Sequence, residues 1–319
     1  MKKFFIGLAV VGVIAAIAGG VIFAIGLSTS KNGNNNITRT VEVEDSFENF
    51  DFDLMTSDIE VKKSVDGKNK VEIVEKEKIS NVVKVEDNTL KIKQEDSRKW
   101  YEKIFDWSWT FDDLKVTVYV AEGTYNNFVC GNNTGAIVIN SGFTFSTMNV
   151  TCNTGSIKVN SNVTGAVVCE NNTGSITLSD ITAASINATG DTGSVNFTNV
   201  TVSGDIKAEA DTGSVNFDNT RCVNIDVDSG TGSVNLKNTI ASGNIKIESS
   251  TGSIKFDHSD ADSLNLKSST GSIKGTLLTS KIFQASSSTG SVKVPTSTTG
   301  GLCVVHTSTG TIDLSIANA

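Results

Sequence analysis

From Phe128 to the C-terminus, apolar and polar residues alternate in short runs that return at a fixed interval. A Thr-Gly pair marks the interval, with the glycine at Gly135, Gly155, Gly174, Gly193, Gly213, Gly232, Gly252, Gly271, Gly290 and Gly310. Every step is 19 or 20 residues. Two residues after the glycine stand Ile or Val, from Ile137 and Ile157 to Ile312. Four after it the residue is again apolar, as in Ile139, Val159, Leu178 and Phe197, with Gly275 the exception. The position between is mostly polar, as in Lys158, Asn196 and Asn216. This alternation predicts a short strand with one face buried. A second strand precedes each glycine, with inward positions seven and five residues before it, as in Met148/Val150, Ile186/Ala188 and Ile245/Ile247. A weaker apolar position at Val163, Ile181, Val200, Ile240 and Leu278 marks a third short face.

Strands this short, this evenly spaced and joined by so few residues leave no room for helical crossovers. They predict an all-β fold: a single-stranded parallel β-solenoid, or β-helix, with 19–20 residues per coil. Each coil then stacks about 4.8 Å above the last, and each column becomes a ladder. The repeating glycines are expected at structural turns with positive φ, where a Cβ is penalised.

Upstream, Thr56-Ser57-Asp58-Ile59-Glu60-Val61 matches Thr154-Gly155-Ser156-Ile157-Lys158-Val159, with Phe50 and Phe52 at the two upstream inward positions. The solenoid is therefore expected to start near Phe47, with Ser57 in the glycine place. Val71/Ile73, Leu90/Ile92 and Val116/Val118/Val120 read as further strands, with a turn at Asp66-Gly67. Residues 1–120 hold 17 of the 27 basic and 20 of the 35 acidic residues, which suits a charged cap on one end of the stack. The expected organisation is an anchor and the start of a linker over 1–30, a polar linker, diverged coil and charged capping strands over 31–120, and the ten-repeat solenoid over 121–319.

Lys2 and Lys3 precede an uncharged run from Phe4 to Leu27. As a helix at about 1.5 Å per residue it would span a bilayer of about 30 Å. The lysines favour an inside N-terminus, so a single-pass signal-anchor would leave the rest of the chain outside the cytoplasm. A cleaved signal peptide is the alternative; it ordinarily has a shorter apolar core and a small-residue cleavage site.

Charge and chemistry narrow the function classes. A net charge of −8 argues against nucleic acid as a partner. With only His258 and His306, a histidine cluster for catalysis or zinc is excluded. Of the five cysteines, Cys130, Cys169 and Cys303 occupy inward columns, and Val150 separates the first two, too far apart for a disulfide. Asp191 and Asp211 share an outward column, and Asp257, Asp260 and Asp262 lie near His258; both groups read as solvated turn residues rather than calcium sites. No metal, cofactor or catalytic residue is expected. The one aromatic concentration is Trp100–Phe111, with Trp100, Tyr101, Trp107 and Trp109. It reads either as a cover for the end of the interior or as a patch for glycan or the outer leaflet of the membrane.

An N-terminal anchor, an F-x-F-D…S-D-I-E-V opening, a charged stretch ending in a strand at Leu114–Val120, and T-G-S-[IV]-x-[VFL] repeats together resemble the bacterial surface-protein family called putative adhesins, a domain of unknown function. The family includes a membrane accessory protein of Gram-positive cell-envelope stress operons. The resemblance covers roughly residues 45–315 and implies a membrane-tethered extracytoplasmic solenoid without catalytic residues. Three functions follow as expectations. The first is a non-enzymatic surface protein binding an envelope protein or glycan. The second is an accessory regulator of envelope stress. The third, remote, is a glycan-active enzyme, which would need an acid–base cluster that the outward columns lack. Either self-association or a poorly ordered last coil is expected at the C-terminal end of the solenoid, where Ile312–Ile316 has no visible cap.

Overall fold

The computed structural model describes residues 30–31, 36–100 and 114–317. Among these, regular structure is entirely β-strand. No helix in them is long and apolar enough to cross a membrane; the run Phe4–Leu27 lies outside the described residues.

The coils stack in parallel and in register. Ile157 pairs with Ile137 on one side and Ile176 on the other, and the ladder continues through Val195, Val215, Val234, Ile254 and Ile273. Upstream strands build the second face in the same way, with Val150 between Cys130 and Cys169. The alternation therefore does what the sequence pattern requires: each strand turns one side chain in two toward a continuous apolar interior.

A third face exists, with Val163, Ile181 and Val200 buried as the sequence pattern predicts, but Ile240 and Leu278 depart from it. Inward pairs are Ile181/Ala183, Val200/Val202, Thr220/Cys222, Thr239/Ala241 and Ser259/Ala261, whereas Ile240 is half-buried and Leu278 exposed. The corner before this face is left-handed, with Asp180, Asn199, Asn219, Asn238 and His258 at φ of 48–56°. Asn and Asp tolerate that region better than most side chains.

Chain order and spatial order part company at both ends. The diverged coil, Asn49–Leu54 and Asp58–Lys63, stacks directly on the first glycine-marked coil, with Phe50 opposite Phe128 and Ile59 opposite Ile137. Its other side is covered by a coil later in sequence, Thr89–Asp96 and Lys115–Val120, with Leu90 opposite Phe50 and Val116 opposite Ile59. Beyond that coil, Asn69–Lys76 and Ile79–Glu86 prolong the two faces as antiparallel strands, and Asn36–Val43 followed by the short Ser30–Lys31 extends one of them. Arg39, Glu75 and Asn81 close this end. Arg39 Nε meets Glu75 Oε1 at 2.7 Å, and the Asn81 amide donates to Glu75 Oε2 at 2.7 Å.

At the far end the last repeat is not last in space. Gly301–Thr309 lies between Ser263–Thr270 and Lys281–Thr289, so Cys303 has Leu264 on one side and Phe283 on the other. Ile312–Ile316 is likewise flanked by Ile273–Leu277 and Val292–Lys293. The C-terminal strand is thus interior to the stack and Leu314 is buried. The expectation that Ile312–Ile316 forms an open end is corrected: the end is the coil of residues 281–294, with Ile282 and Val292 exposed.

Candidate functional site

The repeating unit of the surface is the T-G-S corner. All ten corner glycines have φ between +124° and +157°. At Gly193 an added Cβ would lie 2.2 Å from the Gly174 carbonyl oxygen, so both dihedral and space demand glycine. Ser57 occupies the same place in the diverged coil; a Cβ on Gly135 would lie 2.5 Å from its carbonyl oxygen. The threonine before each glycine pairs with its counterpart along the whole stack, as Thr173 does with Thr154 and Thr192, and its side chain is exposed.

Close stacking at this corner leaves glycine carbonyls facing the interior. At seven of the ten corners an inward Asn, Ser or Thr stands three residues before the glycine, and several of them answer these carbonyls; Cys152, Gly190 and Ala210 hold the place at the other three. Asn132 Nδ2 donates to the Ser57 carbonyl at 2.8 Å, Asn171 Nδ2 to the Gly155 carbonyl at 2.8 Å, and Thr307 Oγ1 to the Gly271 carbonyl at 2.9 Å. Gln94 sits in the same column, where the chain leaves its coil after Asp96 without a T-G-S corner. Its Oε1 accepts from the amides of Met55 and Thr56 at 2.9 and 2.7 Å, and its Nε2 donates to Ser57 Oγ at 2.6 Å. Sequence reasoning missed this column, though its Asn, Ser and Thr recur at the glycine-minus-three position.

Outside, polar side chains bond one another from coil to coil. Asn216 donates to Asn196 and Asn235 to Asn216, each at 2.8 Å. At the left-handed corner Asn199 donates to Asp180 and Asn219 to Asn199, again at 2.8 Å. On the opposite face an open groove is lined by Asp205, Lys207, Asn224, Asp226, Asn244 and Lys246. Charges there are interspersed: Lys246 pairs with Asp226 and with Glu248, both at 3.4 Å. Near the closed end, burial raises the Glu60 carboxyl, but bonds from Lys115 and Lys62 outweigh it and hold it below its ordinary value.

Asp191 and Asp211 are exposed in adjacent coils. Asp257 is exposed and bonded to His258 Nδ1 at 2.6 Å, whereas Asp260 is buried and paired with Lys281, so the acidic group near His258 does not converge. No group of three or more His, Cys, Asp or Glu suited to a metal ion occurs among the described residues. All five cysteines are free and buried. Burial pushes the Cys169, Cys222 and Cys303 thiols up to about 12 and Cys130 higher still, which makes them inert packing groups. Trp100 is 71% exposed, where the chain leaves strand Thr89–Asp96 in place of a T-G-S corner, and the chain returns at buried Leu114. Tyr101, Trp107 and Trp109 lie outside the described residues.

A parallel stack of short coils with self-bonded polar ladders outside defines a β-solenoid repeat protein. The Toastrack DUF4097 family matches residues 47–314, and the chain belongs to that family. The resemblance carried by the T-G-S-[IV] repeats therefore holds. Similar solved structures include a putative lipid binding protein from Parabacteroides distasonis, at 14% identity over 89% of this chain and 98% of that one, with a TM-score of 0.49. A putative adhesin from the same organism is 11% identical over 89% and 98%, with a TM-score of 0.48. A putative adhesin from Bacteroides fragilis is 16% identical over 88% and 96%, with a TM-score of 0.42. No curated protein sequence matches the chain.

Proposed function

We propose that this protein is a non-enzymatic rod, held at the membrane by residues 4–27, that presents its polar ladders outside the cytoplasm to an envelope protein or glycan. One observation carries the reading: the outer columns remain polar and regular, and bond along the stack at 2.8 Å from Asn196 through Asn235. Side chains bonded to each other at the coil spacing form an array, which suits an extended partner better than a compact substrate. Among the described residues the outer columns gather no acid–base pair in a cleft of the kind glycan cleavage needs.

The test uses the full chain in detergent, mixed with peptidoglycan, teichoic acid and envelope polysaccharide. Retention on one of them with no release of reducing ends or soluble fragments is expected. Release of such products overturns the non-enzymatic reading. Protease applied to intact cells checks the placement: digestion of the solenoid from outside is expected, and protection until the cells are opened contradicts it.

Self-association belongs to the same proposal, at the spatial end of the stack rather than at the chain terminus. Strands Lys281–Thr289 and Val292–Lys293 pair on one side only, and Ile282 and Val292 are exposed beside that free edge. Sedimentation of the detergent-solubilised chain should show dimers that Ile282→Lys abolishes. A monomer at every concentration refutes this part.

A further inference from the structure

Asp260 stands in the corner after strand Ile254–Asp257, and Lys281 opens strand Lys281–Thr289 of the terminal coil. Their side chains are 7% and 1% exposed, and Lys281 Nζ lies 2.8 Å from Asp260 Oδ1. Burying two charges away from water is costly, and a neutral product at the same place relieves that cost. The carboxyl is also held in an unusual way. Its Oδ2 accepts from the backbone amides of Leu278 at 3.1 Å and Thr279 at 2.6 Å, and from Thr279 Oγ1 at 2.7 Å. Its Oδ1 accepts from the Ala261 amide at 2.8 Å. Thr279 Oγ1 in turn accepts from Lys281 Nζ. In register beside Lys281 is Gly301, which contributes no side chain to that column.

We propose that Lys281 and Asp260 condense to an intramolecular amide that staples the terminal coil to the body of the stack. The lysine nitrogen first gives a proton to Oδ1, leaving a neutral amine against a neutral acid. Its lone pair then forms a bond to Cγ, and the electron pair of the Cγ–Oδ2 double bond moves onto Oδ2. The amides of Leu278 and Thr279 and the Thr279 hydroxyl already point at that oxygen, the arrangement that stabilises a developing oxyanion. When the pair returns, the Cγ–Oδ1 bond breaks. Oδ1 departs as water with a second proton from the nitrogen. The ammonium and carboxylate thus become one amide and one water, with no oxidant, metal or co-reactant. Thr279 Oγ1 touches both reacting groups, donating to Oδ2 and accepting from the lysine nitrogen.

The staple would act where the fold most needs one. Between its two ends run strands Ser263–Thr270 and Gly301–Thr309, the place where chain order and stacking order disagree. A covalent tie across this point prevents the terminal coil from shearing off.

The experiment is the intact mass of the purified full chain, denatured after a day folded at neutral pH, followed by a tryptic map. The expected mass is below the sequence mass by one water, about 18 Da. The map should contain peptide 256–267 joined through Lys281 to peptide 275–293, uncut after Lys281. Full sequence mass with complete cleavage after Lys281 overturns the proposal. So does a loss of water mapped elsewhere, such as at Asp66-Gly67. Lys281→Arg should restore the full mass, and Thr279→Val, which keeps both reacting groups, should form the bond about 100-fold more slowly if the hydroxyl supports the oxyanion. Unchanged bond formation in Lys281→Arg refutes the assignment. An ordinary ion pair would change no mass in any of these proteins.

Discussion

A single hydrogen atom in place of a side chain decides whether a coil can sit on the one below. Gly193 has φ of +134°, and its missing Cβ would stand 2.2 Å from the Gly174 carbonyl oxygen. Gly193→Ala is therefore expected to cost about 2–4 kcal/mol through backbone strain and displaced stacking, read as a lower urea midpoint. Ser194→Ala, one residue along at the half-buried corner, should stay within about 0.5 kcal/mol. The buried thiols make a second prediction. Their ordinary value is 9.0, and Cys169, Cys222 and Cys303 are pushed up to about 12 by burial. Below pH 9 they are neutral in folded and unfolded chains alike, so their contribution to stability is complete. Above it the unfolded chain loses its protons first, and stability should decline from about pH 9 to about 12. Urea midpoints at neutral pH and at about pH 10.5 check the sign, because a midpoint that rises with pH contradicts it.

At the scale of an element, the informative case is the coil that lacks its corner. Strands Thr89–Asp96 and Lys115–Val120 are joined by an insertion instead of a T-G-S turn, so the neighbouring Met55 and Thr56 amides have no backbone ladder to bond. The Gln94 side chain substitutes for the missing backbone. Gln94→Leu keeps an inward apolar volume, such as Leu54 provides in the same column, but leaves two buried donors unanswered. A loss of about 1–3 kcal/mol is expected, read as a lower melting temperature. An unchanged melting temperature would show that water or backbone movement satisfies those amides.

For the whole molecule, the permuted ends predict an order of stability that runs against chain order. Strands Gly301–Thr309 and Ile312–Ile316 have neighbours on both sides, whereas Lys281–Thr289 and Val292–Lys293 have one. Hydrogen exchange should accordingly be slower at Val305 and Leu314 than at Ala285 and Val292, although the former lie nearer the C-terminus. Faster exchange at Leu314 would mean that the last repeat does not insert. The aromatic rings concentrate toward the other end, where Phe50 packs against Phe128 and Phe145 with centroids 5.5 and 5.6 Å apart. Along the middle coils small and large columns alternate: Ala188 and Ala208 stand in the column of Cys130, and Phe197 stacks on Phe217 with centroids 4.6 Å apart.

What the chain declares on its own is everything that recurs. The period, the inward columns, the glycine corner and the diverged coil with Ser57 in the glycine place all follow from side chains that must meet their counterparts 19 or 20 residues away. A ladder repeats its chemistry as faithfully as its geometry. What needed the tertiary structure is everything that happens once. The insertion of one coil between two others at each end leaves no mark in the period, because a coil fits equally well against any neighbour with the same columns. The pairing of Asp260 with Lys281 depends on that insertion, since only there does a lysine at the start of a strand reach back to an earlier corner. The carbonyl-answering side chains from Asn132 to Thr307 lay between these cases. These residues recur, but their purpose became visible only when the glycine oxygens were seen to face inward.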